Sequence, residues 1–298
     1  MSTDLIQRCF FLLGPTAVGK SDLAVALAER VGGEIVGADA FQVYEGLDVL
    51  SAKPSLELRR RVPHHLVGEI PLTQSFDVAQ YRARALPCLA AILARGRVPI
   101  VCGGTGLYIR ALTHGLADLP PADPALRAEL EREPLSALVT RLRSLDPDAH
   151  VDEKNPRRVI RALEVCLRTG RPFSAQRAEW GQEPILHGAI LVRPRESMLE
   201  RIAARTLAMF VAGVAEEVAA VGTVGPTAEQ MLGLREIRAL LAGECTREQA
   251  AEAITTATRR YAKRQLTWFR RERAYAWLDL AQTPHPVDDL AKLVPASR

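Results

Sequence analysis

The 298-residue sequence predicts an α/β fold, in which helices flank a parallel sheet and a helical segment is inserted into the chain. Three observations predict this fold class. Short apolar runs alternate with amphipathic segments over the first hundred residues, a glycine-rich loop follows the first run, and a proline-rich break precedes a long helical stretch. Strand–turn–helix units repeated in this way are typical of parallel sheets, because each parallel strand needs a crossover connection.

Apolar periodicity places the individual elements. The predicted elements are strands at residues 9–13, 34–39, 98–102, 185–192 and 274–280, and helices at 21–31, 76–96 and from 107 onward. Ligands of such sheets bind at the carboxyl ends of the strands. Gly14, Asp39 and Gly103 each follow a strand end, so we expect them to line one crevice.

A change in composition marks the insertion. Residues 118–124 form a polar, proline-rich break, residues 125–169 have an almost wholly helical pattern, and a second break precedes the strand at 185–192. We therefore predict an α/β core made of residues 1–118 and 188–298, which includes the C-terminal helices, and a helical insertion of residues 119–187.

The loop after the first strand matches the pattern G-x-x-x-x-G-K-[ST] at every fixed position. Its residues are Gly14, Pro15, Thr16, Ala17, Val18, Gly19, Lys20 and Ser21. Backbone N–H groups in such a loop surround a phosphate, the lysine reaches a terminal phosphate, and the serine hydroxyl ligates Mg²⁺. A glycine turn with a chance lysine is disfavoured by the flanking strand and helix. The core is therefore expected to be P-loop NTPase-like, with the phosphorylated ligand undetermined.

Composition limits the class of protein. A hydrophobic content of 48% and a charged content of 25% are ordinary for a soluble globular enzyme. The five cysteines are scattered and never spaced as C-x-x-C, which argues against a disulfide framework or a structural zinc site. With no signal peptide and no apolar stretch of membrane-spanning length, we expect a cytoplasmic protein with no membrane partner.

Basic residues concentrate at two places although the net charge is only +4. Five arginines in the insertion are accompanied by a single acidic residue, Glu164. The last long helix has two adjacent rows of basic residues opposite an apolar face. The residues are Arg157, Arg158, Arg161, Arg168 and Arg171, then Arg259, Lys263 and Arg270 beside Arg260, Arg264 and Arg271, with Ala250, Ile254, Ala257, Tyr261 and Trp268 facing inward. A solvated helix face and a polyanion-binding surface both fit; together with the phosphate loop, the second favours a nucleic-acid enzyme.

An ordered set of motifs resembles the tRNA dimethylallyltransferases, also called tRNA isopentenylpyrophosphate transferases. The set extends over most of the chain and is specific, whereas the phosphate loop alone is not. It comprises residues 14–21, Asp39, 42–44, 46–48, 52–54, 63–66, 103–108, Arg158, 161–164, Arg201, Ile202, Arg205, Met209, 258–265 and 267–270.

The chain departs from the family pattern at a few positions. Ala40 stands where the family usually has serine, Gly68 where an aspartate is usual, Leu50-Ser51 where a glycine-threonine pair is usual, and Leu234 where tyrosine is common. These departures affect secondary hydrogen bonds. None touches the phosphate loop, Asp39 or the Gly103-Gly104-Thr105 turn.

The resemblance implies transfer of a dimethylallyl group from its diphosphate to N6 of adenosine 37 of tRNA. An exocyclic adenine amine is a poor nucleophile, so a carboxylate that accepts its proton would help, and Asp39 is the carboxylate at the mouth of the crevice. The resemblance also implies that Arg205 stabilises the departing diphosphate and that Thr105 hydrogen-bonds near the ester oxygen. Residues 14–21 would bind the diphosphate, with Mg²⁺ on Ser21.

The tRNA anticodon stem-loop is the expected partner, held by a protein that we expect to be a monomer. The insertion and the last long helix are expected to grip it from two sides, and the amide of Gln42 to pair with the target adenine. The predicted tRNA-binding residues are Asp39, Ala40, Phe41, Gln42, Arg157, Arg158, Arg161, Gly233, Arg235, Lys263, Arg264, Gln265, Trp268 and Arg270.

Alternatives remain at this stage. The chain could be a small-molecule or nucleoside kinase that uses ATP, or a non-catalytic RNA-binding protein regulated by a nucleotide. From residue types alone, Asp39 could be a helix cap or a Mg²⁺-associated carboxylate, Thr105 a turn residue and Arg205 an exposed helix arginine. His64 and His65 are adjacent and lack a third ligand nearby, so we interpret them as structural or RNA-contacting residues.

Overall fold

The computed structural model describes residues 2–117, 119–177 and 185–295, with the backbone alone at positions 2, 3 and 177. The chain divides into two compact units. The α/β unit comprises Met1–Thr113 and Pro184–Arg298, and the insertion unit comprises His114–Glu183. The boundaries expected from sequence, 119 and 187, lie a few residues further along the chain.

In the described part of the chain, six parallel strands form one sheet in the order β3-β2-β4-β1-β5-β6. The strands are β1 (Phe10–Leu13), β2 (Gly33–Ala38), β3 (His64–His65), β4 (Val98–Gly103), β5 (His187–Val192) and β6 (Ala276–Asp279). The predicted parallel α/β class is confirmed. The central strand β1 is fully buried, because Phe10 and Leu12 enter one apolar core and Phe11 and Leu13 enter the other. Apolar residues on both faces of a strand are typical of a sheet covered by helices on both sides.

Helices connect the strands and form all the regular structure seen in the described residues of the insertion unit. The helices in the described residues are α1 (Ser2–Gln7), α2 (Lys20–Val31), α3 (Leu56–Arg61), α4 (Val78–Ala94), α5 (Gly106–Thr113), α6 (Pro124–Leu130), α7 (Leu135–Leu145), α8 (Pro156–Thr169), α9 (Phe173–Arg177), α10 (Arg195–Val211), α11 (Val214–Ala219), α12 (Leu234–Leu241), α13 (Arg247–Phe269) and α14 (Pro286–Ala291), with a 3₁₀ turn at Ala228–Gln230. No helix among the described residues is long and apolar enough to cross a membrane.

Local sequence explains where the two long surface helices begin. A capping box formed by Asp77 and Gln80 starts α4, and one formed by Thr246 and Gln249 starts α13. In each pair, the side chain of either residue accepts a hydrogen bond from the backbone N–H of the other. By contrast, α1, α3 and β3 are too short for periodicity to reveal, and the sequence does not predict them.

The insertion unit has its own apolar core, formed by α6, α7 and α8. Glu164 is fully buried within it. The Glu164 carboxylate accepts hydrogen bonds from Arg127, Arg161 and the backbone N–H of Asp123. Burial opposes ionisation of Glu164, but these hydrogen bonds outweigh it and lower its pKa. The buried carboxylate therefore ties the start of α6 to α8.

The register of the sheet brings the expected crevice together. Leu13 of β1 and Ala38 of β2 both pair with Gly103 of β4. The residues that follow these three strands therefore emerge side by side at one edge. The candidate site lies there.

Candidate functional site

The phosphate loop joins β1 to α2 in a strained conformation. Gly14 and Gly19 have φ angles of 151° and 106°, which favour glycine, and Ala17 has a φ of 66° despite its Cβ. A Cβ on Gly14 would lie 2.8 Å from the Leu191 carbonyl oxygen, so β5 also requires glycine there. The α2 helix begins at Lys20, which places its positive end at the loop.

Lys20 is folded onto the loop. Its Nζ donates to the carbonyl oxygens of Gly14 (2.9 Å) and Pro15 (2.8 Å). Burial lowers the pKa of Lys20, and the neighbouring Cys102 and Asp39 partly oppose that shift. The thiol of Cys102, in the same cleft, has its pKa raised by burial to about 11. The thiol is therefore protonated near neutral pH, and Asp39, which lines the same cleft, acts electrostatically on the ammonium.

Three arginines surround the loop from the β5–α10 side. Arg193 Nε donates to the Val18 carbonyl (3.0 Å), and Arg201 Nε donates to the Ala17 carbonyl (2.8 Å). The third, Arg205, follows Arg201 by one helical turn on α10, so both project from the same face. The sequence does not predict that Arg193 and Arg201 contact the loop. For Arg201 a signal exists, because its spacing of four residues from Arg205 puts both arginines on one face of a helix.

Arg205 has spare hydrogen-bonding capacity. Its Nη1 donates to Thr16 Oγ1 (2.8 Å), while its buried Nε has no hydrogen-bond partner in the described residues. Burial lowers the pKa of Arg205, and the charge of Asp39 opposes that shift. A buried N–H group without a partner is costly.

Asp39 directly follows β2 and lines the same cleft as Lys20 and Arg205. Its Oδ1 accepts hydrogen bonds from the backbone N–H groups of Phe41 (2.9 Å) and Gln42 (3.2 Å). Among the hydrogen bonds of the described residues, only this carboxylate oxygen is used. The arrangement fixes the carboxylate and leaves Oδ2 available to a ligand.

The Gly103–Gly106 turn fits tightly between neighbours. Thr105 donates its backbone N–H to Ala38 O (3.1 Å), and its Oγ1 accepts from the N–H of Ala40 (3.0 Å). The turn thus joins the end of β4 to the segment after β2. A Cβ on Gly103 would lie 2.2 Å from the Ala38 carbonyl oxygen, so a side chain cannot be accommodated there.

The inner face of α13 completes this turn. Gln265 Oε1 accepts from Thr16 N (2.8 Å), and Gln265 Nε2 donates to Gly104 O (3.0 Å). A Cβ on Gly104 would lie 2.3 Å from Gln265 Nε2, and one on Gly106 would lie 2.2 Å from the Trp268 ring. One helix therefore binds both the phosphate loop and the glycine turn.

This geometry gives Gln265 a structural role that the sequence does not predict. The sequence predicts a tRNA contact, whereas in the structure the residue is only 6% exposed and its amide binds two backbone groups. Of the predicted inward face, Ala250 and Ile254 are buried, while the half-buried Tyr261 and Trp268 lie at its edge. The centre of the buried face includes Thr258, Ala262, Gln265 and Phe269.

The remaining candidates for tRNA contact in the α/β unit fall into two groups. The Gln42 amide already donates to the carbonyls of Ala52 (2.8 Å) and Ser51 (3.3 Å). Exposed side chains form the second group. They are Arg235, which follows the Gly233 cap of α12, and Lys263, Arg264 and Arg270 on or next to α13.

The insertion arginines also differ from one another. Arg157 and Arg158 are exposed on the first turn of α8. Arg161 is held by Glu164 (2.6 Å) and by the Pro120 carbonyl (2.8 Å), and Arg168 donates to the Pro121 carbonyl. Arg161 and Arg168 therefore contribute to the structure of the insertion unit itself.

The two histidines form the edge strand β3. His65 Nε2 lies 2.7 Å from Glu34 Oε2, and His64 Nδ1 lies 2.8 Å from the Val62 carbonyl oxygen. Burial lowers the pKa of His64. Within residues 2–117, 119–177 and 185–295, no three His, Cys, Asp or Glu side chains are grouped to hold a metal ion.

Three departures from the family pattern can be located in the structure. Glu217 accepts from the backbone N–H groups of Val49 (2.8 Å) and Leu50 (2.9 Å), which fixes the segment where Leu50-Ser51 replaces the usual pair. Leu234 is fully buried in the main apolar core. Gly68 has a left-handed φ of 69°.

The fold and the cleft define a P-loop α/β protein in which a phosphate-binding loop faces a carboxylate. The sequence profile described as IPP transferase matches residues 42–272, and one described as isopentenyl transferase matches residues 7–66. The chain belongs to the IPP transferase family.

Individual relatives agree with this membership. A tRNA dimethylallyltransferase of Akkermansia muciniphila is 45% identical over 270 residues, which is 90% of this chain and 91% of the relative. One from Geobacter sulfurreducens is 45% identical over 286 residues, 91% of this chain and 92% of the relative.

Solved structures show the same fold. The tRNA isopentenylpyrophosphate transferase of Bacillus halodurans superposes with a TM-score of 0.71 at 33% identity, over 97% of this chain and 95% of that one. A eukaryotic dimethylallyltransferase acting on tRNA superposes with a TM-score of 0.79 at 25% identity, over 92% of this chain and 75% of that one.

Proposed function

We propose that this protein transfers a dimethylallyl group from dimethylallyl diphosphate to N6 of adenosine 37 in tRNA and releases diphosphate. One observation carries the proposal: a single cleft is lined by the phosphate loop, by Arg205 and by the Asp39 carboxylate. A diphosphate site and a proton acceptor are what the two halves of this reaction need. The names of the relatives support the same activity.

The donor binds with its diphosphate on the phosphate loop. Backbone N–H groups at the start of α2 bind its oxygens, and Lys20 exchanges the Gly14 and Pro15 carbonyls for phosphate. Arg205 Nε gains the acceptor that it lacks in the described residues. Mg²⁺ takes few protein ligands when substrate phosphates supply the rest, so the Ser21 hydroxyl in the cleft fits it. When bound, Mg²⁺ would neutralise part of the diphosphate charge.

The transfer step forms the bond between adenine N6 and the allylic carbon and breaks the bond between that carbon and the bridging oxygen. The amine proton passes to Asp39, whose Oδ1 is fixed by the N–H groups of Phe41 and Gln42. The electron pair of the broken bond leaves with diphosphate, whose growing charge is stabilised by Lys20 and Arg205. Thr105 donates its hydroxyl proton toward the bridging oxygen.

The tRNA anticodon stem-loop binds to exposed cations on both units. In the α/β unit these are Arg235, Lys263, Arg264 and Arg270, and in the insertion unit Arg157 and Arg158. The segment 39–42 receives the target adenosine, which must leave its stack to enter the cleft. Pairing of Gln42 with adenine requires its amide to release Ser51 and Ala52. We further propose that a monomer performs the reaction and that it does so in the cytoplasm, where tRNA is found.

The relatives do not support the two alternatives. A small-molecule kinase would not explain the basic face of α13, and a nucleotide-regulated RNA-binding protein would not explain why Asp39 lines the cleft. Both predict nucleotide dependence, which the proposed reaction does not have.

The test is transfer from labelled dimethylallyl diphosphate to unmodified tRNA with Mg²⁺ and without ATP. Asp39→Asn keeps the size and one acceptor oxygen but cannot take the proton, so the single-turnover rate should fall ~10²–10⁴-fold with both substrates still bound. The matched control is Asp4→Asn, an exposed carboxylate in the first turn of α1, ahead of β1 and outside the cleft, which should retain the rate.

Strict ATP dependence, or turnover of ATP in place of the allylic donor, would refute the proposed reaction. A near-normal rate for Asp39→Asn would leave the reaction standing but reassign Asp39 to holding the backbone of Phe41 and Gln42.

A further inference from the structure

A groove between α10, α13 and the edge strand β6 is separate from the cleft described above. This α10–α13 groove encloses about 790 Å³, and among the described residues it shares no lining residue with the cleft that contains Lys20 and Asp39. Pro15 of the phosphate loop lines the groove, together with Arg193, whose Nε donates to the Val18 carbonyl oxygen at 3.0 Å. The groove therefore lies beside the phosphate loop, on a side that the proposed reaction does not use.

Part of the lining is apolar and includes an aromatic ring that is open to solvent. Met198 and Ile202 of α10 are buried beneath the groove, and Trp277 of β6 lines it while 45% exposed. The Trp277 ring takes part in no ring–ring or cation–π contact of the described residues, whereas the Trp268 ring packs edge-on against Phe269 at 5.3 Å. Trp277 therefore offers a free face on which a planar ring can stack.

The rest of the lining is basic. Arg259, Arg260, Lys263 and Arg270 are exposed and line the groove, and no carboxylate of the described residues lines it. Of the ion pairs within the described part of the chain, none involves these four cations. Unpaired positive charge favours a polyanion. A free aromatic face beside cations is the combination that binds an unpaired nucleotide, because the base stacks and the phosphates pair with the cations.

We propose that the α10–α13 groove receives a second unpaired nucleotide of the tRNA anticodon loop, distinct from the target adenosine, and that its base stacks on Trp277. This inference rests on the proposed function, because Lys263 and Arg270 belong both to the groove and to the proposed tRNA surface. Every base has a π-face, so the contact contributes affinity without selecting a base. The groove thus holds the loop beside the cleft that the target adenosine enters.

The proposal is tested with Trp277→Leu, which stays apolar but lacks the ring, and with Trp277→Phe, which restores a ring. The affinity for the unmodified anticodon stem-loop is measured at several salt concentrations. Trp277→Leu should weaken binding about tenfold, and Trp277→Phe should recover part of the loss. The salt slope should stay the same in both variants because no charge is removed, whereas Lys263→Ala should lower it by about one unit.

Leu207→Ala is the matched control. Leu207 is an apolar residue on α10 that is 62% exposed and lies outside the groove, so its loss should leave the affinity unchanged. Thermal melting of all the variants measures any loss of stability separately from binding.

A second arm locates the nucleotide with stem-loops that lack a single base at successive unpaired positions. At the position whose base occupies the groove, removal of the base should weaken binding by the same factor, and Trp277→Leu should then cause no further loss. Additive losses at every position, an unchanged affinity in Trp277→Leu, or no recovery in Trp277→Phe would each overturn the stacking role.

Free AMP distinguishes the tRNA from a small nucleotide as the occupant. If AMP bound the unmodified protein but not Trp277→Leu, and the two bound the stem-loop equally well, the groove would be a site for a free nucleotide and the proposal would be wrong. The proposed function fails separately if the unmodified protein transfers no dimethylallyl group to the intact stem-loop.

Discussion

The arginines around the phosphate loop and the cations on the outer surfaces share a chemistry but differ in their surroundings. Arg193, Arg201 and Arg205 donate to oxygen atoms of the loop, so their charge is fixed beside the cleft. Lys263 and Arg270 are exposed. The comparison leads us to expect that cations fixed beside the cleft act on the rate, whereas solvated cations act on the affinity for a polyanion. The predictions for Lys20, for Arg205 and for the α13 face test that division.

The largest effect is expected for Lys20→Ala. Transfer should be abolished, with a rate at least ~10³-fold lower, because the ammonium that meets the diphosphate is lost. The fold should persist, since Nζ donates to two carbonyls of the loop itself and joins no other element in the described residues. Single-turnover transfer and circular-dichroism melting measure the two quantities. Lys263→Ala at saturating tRNA is the control and should keep the full rate.

Arg205→Ala should lower the rate at saturating substrates by ~10²–10³-fold, because one donor to the developing charge is removed. Affinity for tRNA should be unchanged, and a large loss of it would break the division between the two groups of cations. Arg195→Ala, an exposed arginine at the first position of the same helix, provides the matched control.

Arg161 belongs to neither group, because it is half-buried and donates to Glu164 within the insertion unit, and Glu164 allows this structural contribution to be measured. Glu164→Gln removes the charge that pairs with Arg127 and Arg161 and should destabilise the insertion unit by about 2 kcal/mol. Denaturant unfolding followed by a probe within the insertion gives the difference. An unchanged unfolding midpoint would show that the charge of Glu164 adds little to the stability of the insertion unit and that its arginine partners are satisfied by solvent instead.

The same pair predicts a pH dependence. The folded-state pKa of Glu164 lies below the ordinary value of 4.5, so its contribution is present above that pH and is lost as the pH falls through the folded-state pKa. The unmodified protein should therefore lose stability more steeply below pH 4.5 than Glu164→Gln does. Parallel slopes in urea unfolding at graded acid pH would contradict the assignment.

The smallest effect is expected for Lys263→Ala/Arg270→Ala. Each lost phosphate contact should weaken tRNA binding and reduce the salt slope by about one unit, while donor affinity is retained. Arg264 is left in place because its guanidinium lies over Tyr261. The control is Arg60→Ala/Arg97→Ala, which removes the same charge just before β3 and β4, at the opposite edge of the sheet. Equal slopes for the two double variants would identify the α13 face as an ordinary solvated surface.

Sequence reasoning predicts the local features and misses the long-range ones. The phosphate loop and Asp39 are identifiable because pattern, preceding strand and following segment are contiguous in the chain. The structural contacts of Gln265 are missed because its partners, Thr16 and Gly104, are distant in sequence and its position within a basic stretch suggests a surface role. Helical periodicity gives the buried side of α13 only approximately. The two-residue strand β3 has no pattern of its own.

The helix α13 connects the basic outer surface to the phosphate loop mechanically. Its outer face presents Lys263. Within the next five residues, Gln265 contacts the phosphate loop and Gly104, and Trp268 packs against Gly106 of the glycine turn. A rigid helix cannot shift on one face without shifting on the other. Any shift of α13 that one ligand causes is therefore transmitted to the site of the other, and whatever factor one ligand then applies to the affinity of the other must be returned in equal measure.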